Sequence, residues 1–384
     1  MNPQSVTSRR NFLKLSAALA AGCALAQAGG CSAGAGESSY AETAALRYWS
    51  QRRKGELSDF EYLVMCASLA ANPHNTQPWR FRLFQDRIEV YADRERNLGA
   101  ADPQRRMLLM ALGCAVENMT VAATQLGYRS RVELDAGQRF ALDGHCATVW
   151  LAAGFPRRHP WFEALFRRQT TRSPYSPEPV AETFQRDLDR LCDFPGIALS
   201  WYRSPSQGLA VGELVRRSAR TFVADAAGYR DGMEWFRLTR DQWERRGDGI
   251  AIFTSNAPWY VKQYVEWFSD RQDLQGEMFS EGELAHVDEV SSATPLWCLV
   301  WSMQADADAR VRGGRMVERV YLEAAGRGLA VQPLCYPTEV PAMAAESRHV
   351  LGLTAGAEPL LLLRIGRAPL LEKSVRREIR EVIV

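Results

Sequence analysis

The chain has 384 residues, 46% of them hydrophobic, with 47 Lys and Arg against 45 Asp and Glu for a formal charge of +2. That near balance gives no support to a nucleic-acid surface, and the length suits one large or two medium domains. Eight cysteines form no CxxC pair and no Cys/His ligand spacing, so they read as buried small hydrophobes and no metal site is expected.

The N-terminus reads as a targeting segment. Ser8-Arg9-Arg10-Asn11-Phe12-Leu13-Lys14 is a twin-arginine signature, and a mildly apolar run follows over 15–28. Ala26-Gln27-Ala28 supplies an A-x-A cleavage signal. Residues 1–28 are therefore expected as a signal peptide handled by the twin-arginine export machinery, and the Gly/Ala/Ser-rich 29–45 as a flexible leader. The expected location is periplasmic or exported, with lipidation at Cys23 or Cys31 as the alternative. This route carries folded proteins, which suits a chain that takes up a cofactor before export.

Ser58 caps the first helix, with Glu61 completing a capping box and Leu57 set against Tyr62 as a hydrophobic staple; the helix is expected to run to about Ala71. A polar loop follows, Asn72-Pro73-His74-Asn75-Thr76-Gln77-Pro78, stiffened by prolines that push Asn72 and Gln77 out of helical geometry. Alternation around Gln85-Asp86 predicts a hairpin. Asp102-Pro103 opens a long helix through Leu126, closed by Gly127, and strands are expected near 130–135 and 147–152.

A junction at 154–160 precedes a second series. A short helix runs to Arg168, and Val180, Phe184, Leu188 and Leu191 mark one face of the next. Helices fill most of 209–270, where Trp235, Trp243, Trp259 and Trp267 at helical spacing read as packing. A strand near 295–303, a helix over 311–327 closed by Gly328, and strands over 329–334 and 359–365 complete the chain. Val116-Glu117, Ala123 and Gly127 recur as Val317-Glu318, Ala324 and Gly328, each 201 positions on, which points to a diverged tandem duplication.

Two stretches could carry chemistry. The loop 72–78 presents donors and acceptors on a stiff backbone, though such loops also serve as plain turns. Arg167-Arg168-Gln169-Thr170-Thr171-Arg172 could cradle a phosphate, since guanidinium groups bind phosphate oxygens bidentately; a solvated charge run is the alternative. His74 reads as a hydrogen-bonding residue, and no catalytic residue is assigned. The chain holds no GxSxG, HExxH, P-loop or dinucleotide-binding glycine pattern.

Ala70-Ala71-Asn72-Pro73-His74-Asn75-Thr76-Gln77-Pro78-Trp79-Arg80-Phe81 resembles a signature of the nitroreductase superfamily, closest to its tandem, Acg-like branch. Arg168-Gln169-Thr170-Thr171-Arg172 with Pro179-Val180 resembles the opening of a single nitroreductase unit, and 314–334, 362–366 and Arg376-Arg377 resemble its later segments. The resemblance implies an α+β fold of two tandem halves, 46–155 and 156–384, forming an intramolecular pseudo-dimer. It implies one FMN per chain, held by Asn72, Pro73, His74 and Asn75 from the first half. From the second half would come Arg168, Gln169, Thr170, Arg172, Gln332, Pro333, Leu334, Arg376 and Arg377. The chain departs from the family pattern at Ala71-Asn72-Pro73. The implied activity is an exported FMN-dependent oxidoreductase acting on an electron-poor small molecule such as a nitroaromatic or quinone. A non-catalytic flavin-binding or sequestering protein is the alternative, and pairing of two chains is left open.

Overall fold

Two long helices packed against each other hold two antiparallel sheets apart in the computed structural model, which describes residue 55 and residues 57–384. The expected signal peptide, leader and candidate lipidation sites lie outside the described residues. The described residues fall within one unit, Glu42–Val384.

In chain order, helix α1 (Asp59–Ser68) leads through a 3-10 turn (Pro73–Asn75) into strands β1 (Trp79–Leu83) and β2 (Arg87–Ala92). Helix α2 (Arg106–Leu126) follows, then β3 (Tyr128–Leu134) and β4 (His145–Ala153). The second series opens with α3 (Phe162–Arg167), α4 (Glu182–Leu191) and β5 (Ile197–Tyr202). Helices α5 (Pro205–Ala224) and α6 (Ala226–Met233) come next, then β6 (Phe236–Arg237), α7 (Arg240–Arg246), β7 (Ile250–Ala251), α8 (Trp259–Phe268) and α9 (Glu277–Ser292). The series closes with β8 (Leu296–Ser302), α10 (Ala307–Gly326), β9 (Ala330–Pro333), α11 (Ala344–Val350) and β10 (Glu358–Gly366).

The first sheet has the order β1-β2-β4-β3 and the second β5-β8-β10-β9, with every neighbouring pair antiparallel. Each sheet packs on its own long helix, α2 for the first and α10 for the second. The two helices meet through glycines 201 positions apart. A Cβ on Gly113 would collide with the Val311 carbonyl oxygen, and one on Gly314 with the Met110 carbonyl oxygen. Only glycine allows backbones this close. Cys114 Sγ donates to Gly314 O at 3.1 Å across the same crossing. Although α2 is long and apolar enough to cross a membrane, it is a core helix, with 89% of its apolar 18-residue stretch buried within the molecule.

Several expected boundaries shift. The Ser58–Glu61 capping box forms as read, but α1 ends at Ser68. Helix α2 starts at Arg106 rather than at Asp102-Pro103, because Arg105 is left-handed (φ 55°) and the Asp102 carboxylate accepts from Leu108 N at 3.0 Å. Strand β5 and helix α9 were not foreseen. Of the four tryptophans read as packing, Trp243 is buried and Trp235 packs against Leu98 and Met107, whereas Trp259 and Trp267 are 70% and 66% exposed on α8.

Candidate functional site

The polar loop after α1 is strained and tied down. His74, Asn75 and Gln77 all have left-handed backbones, with φ of 47°, 54° and 50°. Each costs on the order of 1 kcal/mol in a non-glycine residue, so the surroundings must hold them. Asn72 is extended, as its proline predicts, and its Oδ1 accepts from Gln77 N at 2.9 Å. Asn75 Nδ2 donates to Val375 O at 3.0 Å, and Asn75 Oδ1 accepts from Arg376 Nη1 at 2.9 Å. Gln77 Nε2 donates to Gly247 O at 2.7 Å, while its Oε1 accepts from Arg377 N at 3.0 Å. The Gly247 backbone and the C-terminal segment at 375–377 thus clamp a loop that belongs with the first sheet.

The second candidate segment leaves α3 and runs along β9, where Thr170 bridges Val331 and Thr171 N donates to Val331 O at 3.1 Å. Its residues divide into two groups. Arg168 and Arg376 are buried and committed to protein. Arg168 Nη2 donates to Leu69 O at 2.7 Å and its Nε lies 3.4 Å from Glu318 Oε1. Arg376 donates to Ser68 O and Leu69 O at 2.6 and 3.2 Å. Gln169 turns away to the Leu371 backbone, whose N–H and C=O each lie 2.9 Å from its amide. Arg377 pairs with Asp93 and Glu381 at 3.8 and 3.5 Å.

Arg172 is different. Among the described residues no hydrogen bond or ion pair engages its guanidinium, although it is surrounded by protein. It is half-buried, in a recess among Tyr175, Tyr321, Tyr336 and His74. Burial lowers its proton affinity, and the phenols of Tyr321, Tyr336 and Tyr175 oppose that shift. His74 from the strained loop sits within its field. Burial first, and then the Arg172 charge, push the imidazole down to about 4, so it is neutral at pH 7.

Other polar atoms close to Arg172 in the chain or in its field lack partners. Arg364, alone in the apolar run of β10, stacks over the Tyr175 ring at 3.7 Å. Its Nε donates to Gln332 Oε1 at 2.7 Å and its Nη2 to Ser173 O at 2.5 Å, but Nη1 has no partner. Thr171 Oγ1, Ser173 Oγ and His286 Nε2 are likewise buried without partners. Orphaned buried polar atoms are rare in folded proteins and mark a place where another polar group belongs.

A family model described as a TAT (twin-arginine translocation) pathway signal sequence matches residues 6–26. The chain is 26% identical over 335 residues to a putative NAD(P)H nitroreductase of Mycobacterium tuberculosis, covering 84% of this chain and 90% of that one. It is 23% identical over 335 residues to the putative NAD(P)H nitroreductase acg of the same organism, covering 83% and 93%. The chain is thus similar over most of its length to proteins named as putative NAD(P)H nitroreductases. Among solved structures, the FMN and NADPH-dependent nitroreductase NfnB of Sphigopyxis sp. strain HMH overlays with a TM-score of 0.39 at 19% identity, covering 58% of this chain and 97% of its own. A putative nitroreductase from Anabaena variabilis ATCC 29413 overlays with a TM-score of 0.42 at 11% identity, covering 74% and 69%.

Of the thirteen site residues expected from the sequence, the structure brings Arg172 and His74 to the recess, with Gln332 behind Arg364 and Thr170 bonded to Tyr321 OH at 2.9 Å. Asn72, Asn75, Arg168, Gln169, Arg376 and Arg377 spend their polar atoms within the protein, and Leu334 packs in a separate apolar cluster under α5 and α9. Pro333 ends β9. Sequence reasoning missed Arg364, His286, Tyr321 and Tyr336. A single arginine inside Leu360–Ile365 is a visible signal, because a charge in an apolar strand must have a built partner set. His286 and Tyr336 carry no such signal.

Proposed function

We propose that the chain is an exported FMN-dependent oxidoreductase of nitroreductase type, acting on an electron-poor small molecule such as a nitroaromatic or quinone. The observation that carries this reading is Arg172, a half-buried guanidinium without a protein partner, beside a neutral imidazole and four buried polar atoms that also lack partners. A recess built this way suits an anionic, multiply hydrogen-bonding ligand, and FMN is such a ligand. Arg172, Thr171 and Ser173 would hold it from the second half of the chain, with His74 and the loop backbone from the first. Bound FMN would supply hydride transfer between a donor and the acceptor. The protein's part is to fix the ring, exclude bulk water and keep a positive charge at Arg172 beside developing negative charge.

We read 46–155 and 156–384 as two tandem halves that imitate a dimer within one chain. The matching strand order, the paired glycines 201 positions apart and the packing of α2 on α10 support this. The first half has no counterpart of Arg172 and Arg364, so one FMN per chain is the expectation. The signal match over residues 6–26 supports export, with the folded holoprotein as the form carried.

The test is an anaerobic visible spectrum of the purified chain before and after NADPH. A flavin band that bleaches supports the reductase, and turnover of a nitroaromatic should follow. A band that NADPH leaves intact but dithionite bleaches moves the reading to another donor or to a flavin-sequestering protein. Absence of a flavin band after incubation with FMN overturns it.

A further inference from the structure

We propose that helix α8 is a self-pairing surface, on which two copies of this chain dock antiparallel about a two-fold axis. Its residues, Trp259–Phe268, face the opposite way to those of an ordinary surface helix, which turns its apolar side to the core. Val265 is the buried residue, and both charged residues also turn to the protein. Lys262 Nζ donates to Phe253 O at 3.2 Å, and Glu266 Oε1 accepts from Arg240 N at 2.9 Å. The aromatic rings point outward instead. Trp259, Trp267 and Phe268 are 70%, 66% and 68% exposed, with Tyr260 and Tyr264 half-buried beside them. Both tryptophans that are exposed among the described residues lie here, so the feature is a patch and not a scatter of single residues.

The order of the side chains fits a second copy. Residues four apart lie in line on a helix, which gives two neighbouring rows, Trp259-Gln263-Trp267 and Tyr260-Tyr264-Phe268. Each row has an aromatic ring at both ends, so it reads nearly the same in either direction. A two-fold contact requires that symmetry, because residue i must meet j while j meets i. In an antiparallel pair Trp259 of one copy meets Trp267 of the other, and Tyr260 meets Phe268. Gln263 then meets its own equivalent at the axis, where an amide can both donate and accept. The rings already touch within the helix, with centroids 6.0 Å apart for Trp259 and Tyr260 and 5.6 Å for Tyr264 and Phe268.

Area sets the strength of the pairing. A whole aromatic side chain offers roughly 150–250 Å², so the five rings leave about 500 Å² a copy uncovered. Two copies would cover about 1,000 Å², which is where specific interfaces begin. A reversible dimer with a dissociation constant in the micromolar range is therefore expected. A lipid surface fits this face less well. Helices that lie on membranes line their polar side with Lys and Arg. Here the one lysine of α8 is tied to Phe253 O, and Arg271 beyond its end pairs with Glu234 at 3.4 Å. None of these residues is among those of the recess around Arg172, so the pairing stands or falls without the flavin.

The experiment is sedimentation velocity of the full chain over a concentration series, where a monomer–dimer equilibrium is expected. Trp259→Ala combined with Trp267→Ala should raise the dissociation constant about 100-fold. Gln263→Glu sets two carboxylates against each other at the axis and should raise it at least about 10-fold, as should Gln263→Lys. An equimolar mixture of the Gln263→Glu and Gln263→Lys chains should then pair again as a mixed dimer. Position 263 is exposed, so both variants should melt at the native temperature, and they decide the matter even if the tryptophan variant does not fold. A chain that stays monomeric into the millimolar range would overturn the proposal. So would a dimer indifferent to these changes, or a mixture that does not pair. Anionic phospholipid vesicles that bind the monomer and lose it when Trp259 and Trp267 are replaced would make lipid the occupant instead, and would overturn it too.

Discussion

The two sheets share a strand order but differ in what joins their first two strands. In the first sheet β1 and β2 are linked by a three-residue turn, Phe84-Gln85-Asp86. In the second, residues 203–295 stand between β5 and β8 and carry α5 to α9. The glutamates at matching places on the two long helices diverge in step. Glu117 of α2 faces two arginines, Arg315 and Arg319, at 2.8 and 2.7 Å. Glu318 of α10 is buried, meets Arg168 at 3.4 Å and accepts from Ala71 N at 3.0 Å. The symmetric parts of the molecule are the ones that pack, and the asymmetric parts are the ones that build the recess. The residues between β5 and β8 supply His286, while the segment ahead of the first sheet supplies the strained loop with His74.

The largest expected effect is at the crossing itself. Gly314→Val would drive a side chain into the Met110 backbone, which cannot rotate away, and should destabilise the chain by at least about 3 kcal/mol, read as loss of soluble protein or a steep fall in Tm. Gly313→Ala meets only the tip of the Leu360 side chain and should be milder. Equal effects at both positions would break the picture of a glycine-dependent crossing.

Next comes the glutamate pair. Arg168→Ala leaves Glu318 buried without its cation, at about 3–5 kcal/mol by denaturant unfolding, and adding Glu318→Gln should recover part of the loss. Arg315→Ala leaves Glu117 with Arg319 and should cost about 1 kcal/mol. Similar losses at both would mean that the two glutamate sites are not electrostatically distinct.

Glu339 sharpens the comparison through pH. Burial raises its proton affinity to about 7, although Arg106 opposes the shift. A raised value means that the folded state holds the proton more tightly than the unfolded one. The stabilisation is complete below pH 4.5, the ordinary value, and is lost as pH rises through about 7. Relative to Glu339→Gln, the native chain should lose on the order of 3 kcal/mol across that window, measured by unfolding at several pH values. Parallel curves for the two proteins would contradict this. The smallest effect is Ser58→Ala, which removes the α1 capping box and should cost about 1 kcal/mol.

Much of this was legible in local sequence. The Ser58–Glu61 box, the extended Asn72 before proline and the matching helices at 201 positions are short-range or periodic signals, and the structure contains each of them. Gln77 shows the limit. Its proline excludes the right-handed helix, but its left-handed backbone is held by Gly247 and Arg377, far along the chain. Strand β5 escaped because its burial follows no alternation, with only Ile197 and Tyr202 buried. The arginines illustrate a different failure. Arg168 and Arg172 look equivalent in sequence, yet only the fold gives Arg168 a buried glutamate and leaves Arg172 open.

That distinction is the core of the account, and FMN stoichiometry in the native chain and in Arg172→Ala tests it most directly. One FMN per chain is expected in the native protein. In Arg172→Ala, affinity should fall about 10- to 100-fold with Tm unchanged. Two FMN per chain, or full FMN content in Arg172→Ala, would contradict a single recess centred on Arg172.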